Sequence, residues 1–216
     1  MIKNILNFRS NAEAAVSKLN LLGLTAEIIT EIVKRSQLAR SNATDNHPNN
    51  TGGTYAWHEA VCAKRDLLKP IGWTKQETNN KALTVNPDLT IALDVSGGTK
   101  DTGIEQGFPQ TRNPKGRQTR KLVNFNQGQL FAFNDIGNES ADDFQTWVLL
   151  YYFDQSNGKK EIRYELSLPV SMEQDRIIGW HERIIFNPLT IDDVDIIENT
   201  QEYADNVEVE ISIKNE

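Results

Sequence analysis

Hydrophobic positions in the first forty residues recur at helical spacing. Ala12, Val16, Leu19 and Leu22 form one stripe, and Ile28, Ile29, Ile32 and Val33 form a second beyond Gly23. Residues three and four apart share a helix face, so the pattern predicts a helical hairpin over 1–40. Ser10 and Glu13 have the spacing of a capping box, and Thr25 supplies a hydroxyl cap for the second helix. Residues 41–53 (SNATDNHPNNTGG) carry almost no apolar side chain and read as a linker or exposed loop, the clearest domain boundary in the chain. A third helix is predicted over Thr54 to Lys69. Trp57, Ala60, Val61, Leu67 and Leu68 lie near one face with Lys64 inside the stripe, while His58, Cys62 and Arg65 lie on another. Pro70 and Gly72 end it.

From Ala82 the period falls to two, the signature of strands. Leu89–Val95 is a strand candidate that runs into the Gly-containing loop SGGTKDTG, and a long irregular stretch follows to about Gln127. Thr146–Phe153 is apolar on both faces, as in a central strand. Asn157-Gly158 marks a turn, and Lys160–Leu168 then alternates with Ile162, Tyr164, Leu166 and Leu168 on one side. Arg176–Phe186 is a further strand that places Ile178, Trp180, Ile184 and Phe186 together. The terminal NVEVEISIK alternates as a candidate edge strand. The predicted class is α+β, with N-terminal helices followed by a mainly antiparallel β-sheet, an α+β core over 54–190 and an acidic C-terminal segment over 191–216.

Charge changes this picture most. The 216 residues carry a net charge of -7, but nine carboxylates and one lysine fall within 191–216, so the preceding body is nearly neutral. That body contains a basic loop, TRNPKGRQTRK, in which Arg112, Lys115, Arg117, Arg120 and Lys121 have no carboxylate among them. Gly116 and Pro114 oppose a helix there. Cations with neutral donors between them suit phosphate oxygens, and Phe108, Phe125, Phe131 and Phe133 nearby suit stacking on unpaired bases. The competing reading is a solvated loop paired with the acidic tail or with Asp135, Glu139, Asp142 and Asp143.

The enzyme motifs fail on inspection. Gly98 and Gly103 have P-loop spacing, but Ile104 and Glu105 follow where lysine and a hydroxyl residue are required. What survives there is a candidate backbone nest at Gly97 and Gly98. Pro87-Asp88 followed by Asp94 is similar to a PD-(D/E)xK nuclease core, in which two acids hold magnesium and a lysine assists the attacking water. Here the third position is Ser96, so the pattern breaks where the chemistry needs lysine. His58, Glu59, Arg65, Asp94, Gly97 and Gly98 are a candidate polar cluster, and Asp101 joins His58, Glu59 and Asp94 in a hydrolase alternative. His58 and Cys62 lie one helical turn apart, but two ligands make no zinc site. Cys62 has Lys64 and Arg65 nearby to lower its pKa, yet no base is identifiable. Glu182, between apolar Trp180 and Ile184 and opposite the face of His181 and Arg183, predicts cross-strand ion pairing rather than an acid/base role, with a neighbouring strand bringing Arg163 or Glu165 alongside. No catalytic residue, metal or cofactor is assigned.

A single cysteine excludes an internal disulfide framework, and no apolar run approaches the ~20 residues of a membrane span. With no apolar leader at the N-terminus, the expected compartment is the cytoplasm, with no membrane partner. TGGTYAWHEAVCAKRDLLKPIGW, NPDLTIALDVSGGTKDTG and TRNPKG, within 51–185, resemble uncharacterised accessory proteins of bacterial mobile elements and phages. The resemblance implies a nucleic-acid or nucleoprotein context and carries no site residue. The leading expectation is a non-enzymatic protein that contacts nucleic acid or a nucleoprotein partner through the basic loop. The alternatives are a protein–protein inhibitor acting through the acidic segment and a metal-dependent nuclease or phosphohydrolase.

Overall fold

The computed structural model describes residues 4–78, 81–131, 144–156 and 160–190. Strand β1 (Asn4–Asn7) precedes α1 (Ala12–Leu21), α2 (Ala26–Ser41) and α3 (Thr51–Leu68), and a 3-10 turn over Lys69–Ile71 follows. Strands β2 (Thr74–Thr78), β3 (Lys81–Asn86) and β4 (Ile91–Gly97) make an antiparallel meander. The chain then forms α4 (Arg117–Phe131) before β5 (Gln145–Asp154), which pairs parallel to β4. Next come β6 (Glu161–Glu173) and β7 (Arg176–Ile185), both antiparallel, and β8 (Leu189–Thr190), which pairs with the start of β6. The sheet order is β1-β7-β6-β5-β4-β3-β2, with β1 parallel to β7.

The α+β class holds, but two of its finer features are corrected. The helices are not all N-terminal, because α4 lies between two strands, and the sheet is mixed. A parallel pair needs a long crossover, and the stretch after β4 supplies one with a helix in it. Helix α4 begins directly after Gly116, so Arg117, Arg120 and Lys121 are helical, contrary to the expected irregular stretch. Its apolar content is low, but buried Val123 packs on Val148, Leu150, Ile177 and Trp180. Buried Asn126 fixes it further: its amide donates to the Thr146 and Pro169 carbonyls and accepts from the Thr146 amide, at 2.9, 3.0 and 3.0 Å.

The opposite sheet face carries the main core. Ala15, Leu19, Ile29, Ile32, Val33 and Ala60 from α1–α3 join Leu93, Trp147, Leu149, Tyr164 and Leu166 in one cluster. The N-terminal hairpin is thus packed on the sheet, and the short stretch from α2 to α3 connects two packed helices. The expected linker overlaps α3, which starts at Thr51. The first helix is capped by Asn11, whose side chain accepts from the Ala14 amide at 3.3 Å, not by Ser10. Thr25 caps α2 as expected, accepting from the Ile28 amide. Val16 is exposed, because α1 turns Ala15 and Leu19 inward.

Trp180 does not share a face with Ile184. Register irregularities where β6 and β7 pair shift the alternation, so Trp180 packs on the α4 side and Ile184 on the other. Glu182 pairs with neither expected partner: Lys18 reaches it at 2.7 Å and Asn4 donates to it at 3.0 Å. The expected Asn157-Gly158 turn, Phe133, the acids at 135–143 and the C-terminal strand lie outside the described residues. Among the described residues, no helix is long and apolar enough to cross a membrane.

Candidate functional site

The C-terminal ends of the parallel neighbours β4 and β5 open into a cavity of about 910 Å3. Crevices at the carboxyl ends of adjacent parallel strands are where open mixed sheets receive ligands. Ser96, Gly97 and Gly98 form one part of the wall, and Tyr151, Tyr152 and Phe153 another. The start of α3 contributes Gly53, Thr54, Trp57 and His58, preceded by Asn49 and Asn50. From the other side of the sheet come Arg112 to Arg117 and the first turn of α4.

The cavity is strongly cationic. Arg40, Lys81, Arg112, Lys115 and Arg117 line it, and among the described residues Asp94 is its one carboxylate. The N-termini of α3 and α4 both meet it, adding the partial positive charge of helix starts. No side chain caps α3, and neither helix has an acidic residue in its first turn. The Arg40 guanidinium is less basic than usual, through its burial and then through the repulsion of Arg112. Cations held together without enough counter-charge are what an anion relieves.

Asp94 sits on the cavity floor, buried and ion-paired with Lys81. Burial pushes its carboxyl up, but Lys81, Lys64 and Lys115 outweigh this and hold it below the usual aspartate value. Lys64 is wholly buried beneath it, where its ammonium donates to the Ala82 and Leu93 carbonyls at 2.8 and 2.9 Å. Burial brings the Lys64 pKa down to about 7 despite Asp94. Burial likewise lowers Lys115, again against the pull of Asp94.

The basic loop is held from behind by the β6–β7 hairpin. Its turn residues Gln174 and Asp175 adopt φ of 45° and 60°, the left-handed region that two-residue hairpin turns require. That turn aims the Asp175 carbonyl at the Lys115 amide, 2.6 Å away. Arg176 donates to the Thr111 and Arg112 carbonyls, and the Arg112 amide donates to the Gly97 carbonyl at 2.8 Å. The loop is therefore shaped by backbone bonds that leave the Arg112, Lys115 and Arg117 side chains to the cavity.

His58, Asp94, Gly97, Gly98, Arg112, Lys115 and Arg117 thus line one concave surface. Other candidate residues lie elsewhere. Arg120 pairs with Asp175 at 2.7 Å, Arg65 pairs with Glu77 at 2.7 Å, and Lys121 is exposed outside the cavity. Glu59 and Cys62 border a separate shallow groove. Phe108 is exposed, but outside the cavity wall. The Gly97–Gly98 segment is no open nest: the Gly98 amide donates to Tyr151 and the Thr99 amide to Gln110, at 2.9 and 3.0 Å. Gly98 is required because Thr102 occupies the place a Cβ would take.

The nuclease-like pattern does not assemble around Asp94. Asp88 is exposed in the β3–β4 turn at the far end of the strand, and Asp101 accepts from the Phe108 amide. Among the described residues, no three His, Cys, Asp or Glu side chains form a metal-ligand group. The Cys62 thiol is shifted up, not down: burial, Asp66 and Glu59 outweigh the opposing pull of Arg35. Arg40 and Lys81 carry no sequence signal that marks them for the site, whereas Lys64 had one, a charge inside an apolar helical stripe. Comparison with family models, curated proteins and solved structures found no match.

Proposed function

We propose that this is a non-enzymatic protein that binds nucleic acid, alone or within a nucleoprotein partner, by its phosphates in the cleft at the ends of β4 and β5. The observation that carries this reading is the imbalance of five basic side chains against Asp94, reinforced by two helix N-termini. Phosphate oxygens are matched both by the cations and by the positive ends of the two helix dipoles. Arg112 and Arg117 are exposed enough to reach a polyanion, and Lys115 lies between them on the floor side. Among the described residues, Asp94 is the one carboxylate of the cleft, and it is engaged by Lys81.

Each neutralised phosphate releases counterions, giving a salt slope of about 0.9 per contact on duplex DNA and about 0.7 on single strands. Fluorescence anisotropy with labelled oligonucleotides across a salt series measures this directly. Wild-type protein is expected to bind with a steep slope, and the R112E/R117E double variant is expected to lose binding while keeping its circular dichroism. Unchanged binding by that folded variant overturns the proposal.

A further inference from the structure

Trp57 lines the cleft and is 38% exposed, on the wall that α3 contributes. The other three tryptophans, Trp73, Trp147 and Trp180, are no more than 2% exposed. An indole on the core-directed stripe of α3 would be expected inside. Instead, Ala56, Ala60, Ala63 and Leu68 cover the core, and Trp57 faces the cavity. Asn49 and Asn50 stand beside it, and the Asn50 side chain does not cap α3. Their amides offer both donors and acceptors.

We infer that the cleft receives an unpaired nucleotide, with its base stacked on Trp57 and its phosphate held by Arg112, Lys115 and the start of α4. This rests on the phosphate reading above and deepens it. The two walls come from elements on opposite faces of the sheet, so an aromatic surface and an anion-binding surface share one cavity. A base within a duplex is already stacked on its neighbours and has no free face for an indole; an unpaired base has one. A cavity of about 910 Å3 also falls within the range of small-ligand sites. The same chemistry serves a nucleotide in a single strand or a free nucleotide.

Because the other tryptophans are buried, quenching of intrinsic fluorescence reports on Trp57. Wild-type and R112E/R117E proteins are titrated by this quenching with a single-stranded oligonucleotide, its duplex, a mononucleotide and inorganic phosphate. Binding of the single strand and the duplex by wild type, W57A, W57F and R112E/R117E is compared by anisotropy of the labelled oligonucleotides, which needs no tryptophan. The single strand is expected to quench the wild type and to bind more tightly than the duplex. W57A should weaken that binding about tenfold and W57F should largely preserve it. Equally tight quenching by the mononucleotide supports the inference and identifies a free nucleotide as the source. If the duplex binds as tightly as the single strand and W57A changes nothing, while R112E/R117E still abolishes binding, this inference falls and the phosphate reading stands. Binding of inorganic phosphate alone, with no nucleotide probe quenching, also overturns it. If no probe binds, both fall.

Discussion

Two buried carboxylates on the same sheet have opposite surroundings. Glu165 on β6 faces Arg183 on β7 at 2.5 Å, and both side chains are fully buried. Arg183 directs its remaining donors to the Ile104, Glu105 and Gly107 carbonyls, and Glu165 also accepts from the Gly103 amide and the Ser167 hydroxyl. One charge meets one charge, and the surplus polar atoms tie down the loop over them. Asp94 instead meets Lys81, Lys64 and Lys115 and opens to a cavity lined by further cations. The first cluster is closed and neutral, the second open and positive. Burial of charge by itself therefore says little about function; balance and access separate a structural pair from a site.

The largest expected effect lies in the closed pair. R183A leaves Glu165 buried without a cation, and urea unfolding should show a loss of about 3–5 kcal/mol. R183K should remain strongly destabilised, because an ammonium cannot reproduce the planar five-donor fork. A small loss in R183A would break the contrast, showing that the pair is no more structural than the open cluster.

The open cluster should respond to pH. Lys64 has a folded pKa of about 7 against an ordinary 10.5, so between those values the unfolded chain binds more protons. Its contribution to stability therefore rises with pH through that window and is flat below it. Anion binding should move the other way, weakening as the ammonium beneath Asp94 loses its proton. Urea midpoints and oligonucleotide affinities measured from neutral to alkaline pH test both signs, and K64M should reduce the dependence, leaving the part that Lys115 contributes.

A smaller effect is expected for D94N. It removes the cleft's counter-charge without emptying the position, so affinity for an oligonucleotide should rise a few-fold in anisotropy titrations. Its stability should fall less than that of R183A, because Lys64 can shed its proton when its anion is gone. Weaker binding in D94N would show that the aspartate contributes to recognition itself. The smallest effect is expected from removing 191–216. Thr190 pairs with Glu161 at the start of β6, which in turn pairs with Asp154 at the end of β5, beside the cleft wall. Loss of nine carboxylates should tighten oligonucleotide binding modestly at low salt and not at all at high salt. Abolished binding would instead support a role for the segment in partner recognition.

The sequence by itself determined the elements whose burial is periodic. Ile29, Ile32 and Val33 in α2, and Ile162, Tyr164, Leu166 and Leu168 in β6, declare their faces because a regular backbone repeats its environment at a fixed spacing. It also singled out the basic segment 111–121, but as a loop throughout, whereas Arg117, Arg120 and Lys121 are helical. Helix α4 escaped because its burial rests on Val123 and on hydrogen bonds from Asn126, a residue that reads as polar until its partners on β5 and β6 are known. The exposure of Trp57 and the fate of Arg120 were likewise invisible, since each depends on a neighbour remote in the chain. Only the tertiary structure decided that β4 lies parallel to β5, that α3 and α4 start at the same strand ends, and that Arg40 and Lys81 join the basic loop. The physical reason is range: periodicity reports what adjacent residues share, whereas a cleft is made by segments that meet only after the sheet has fixed their register.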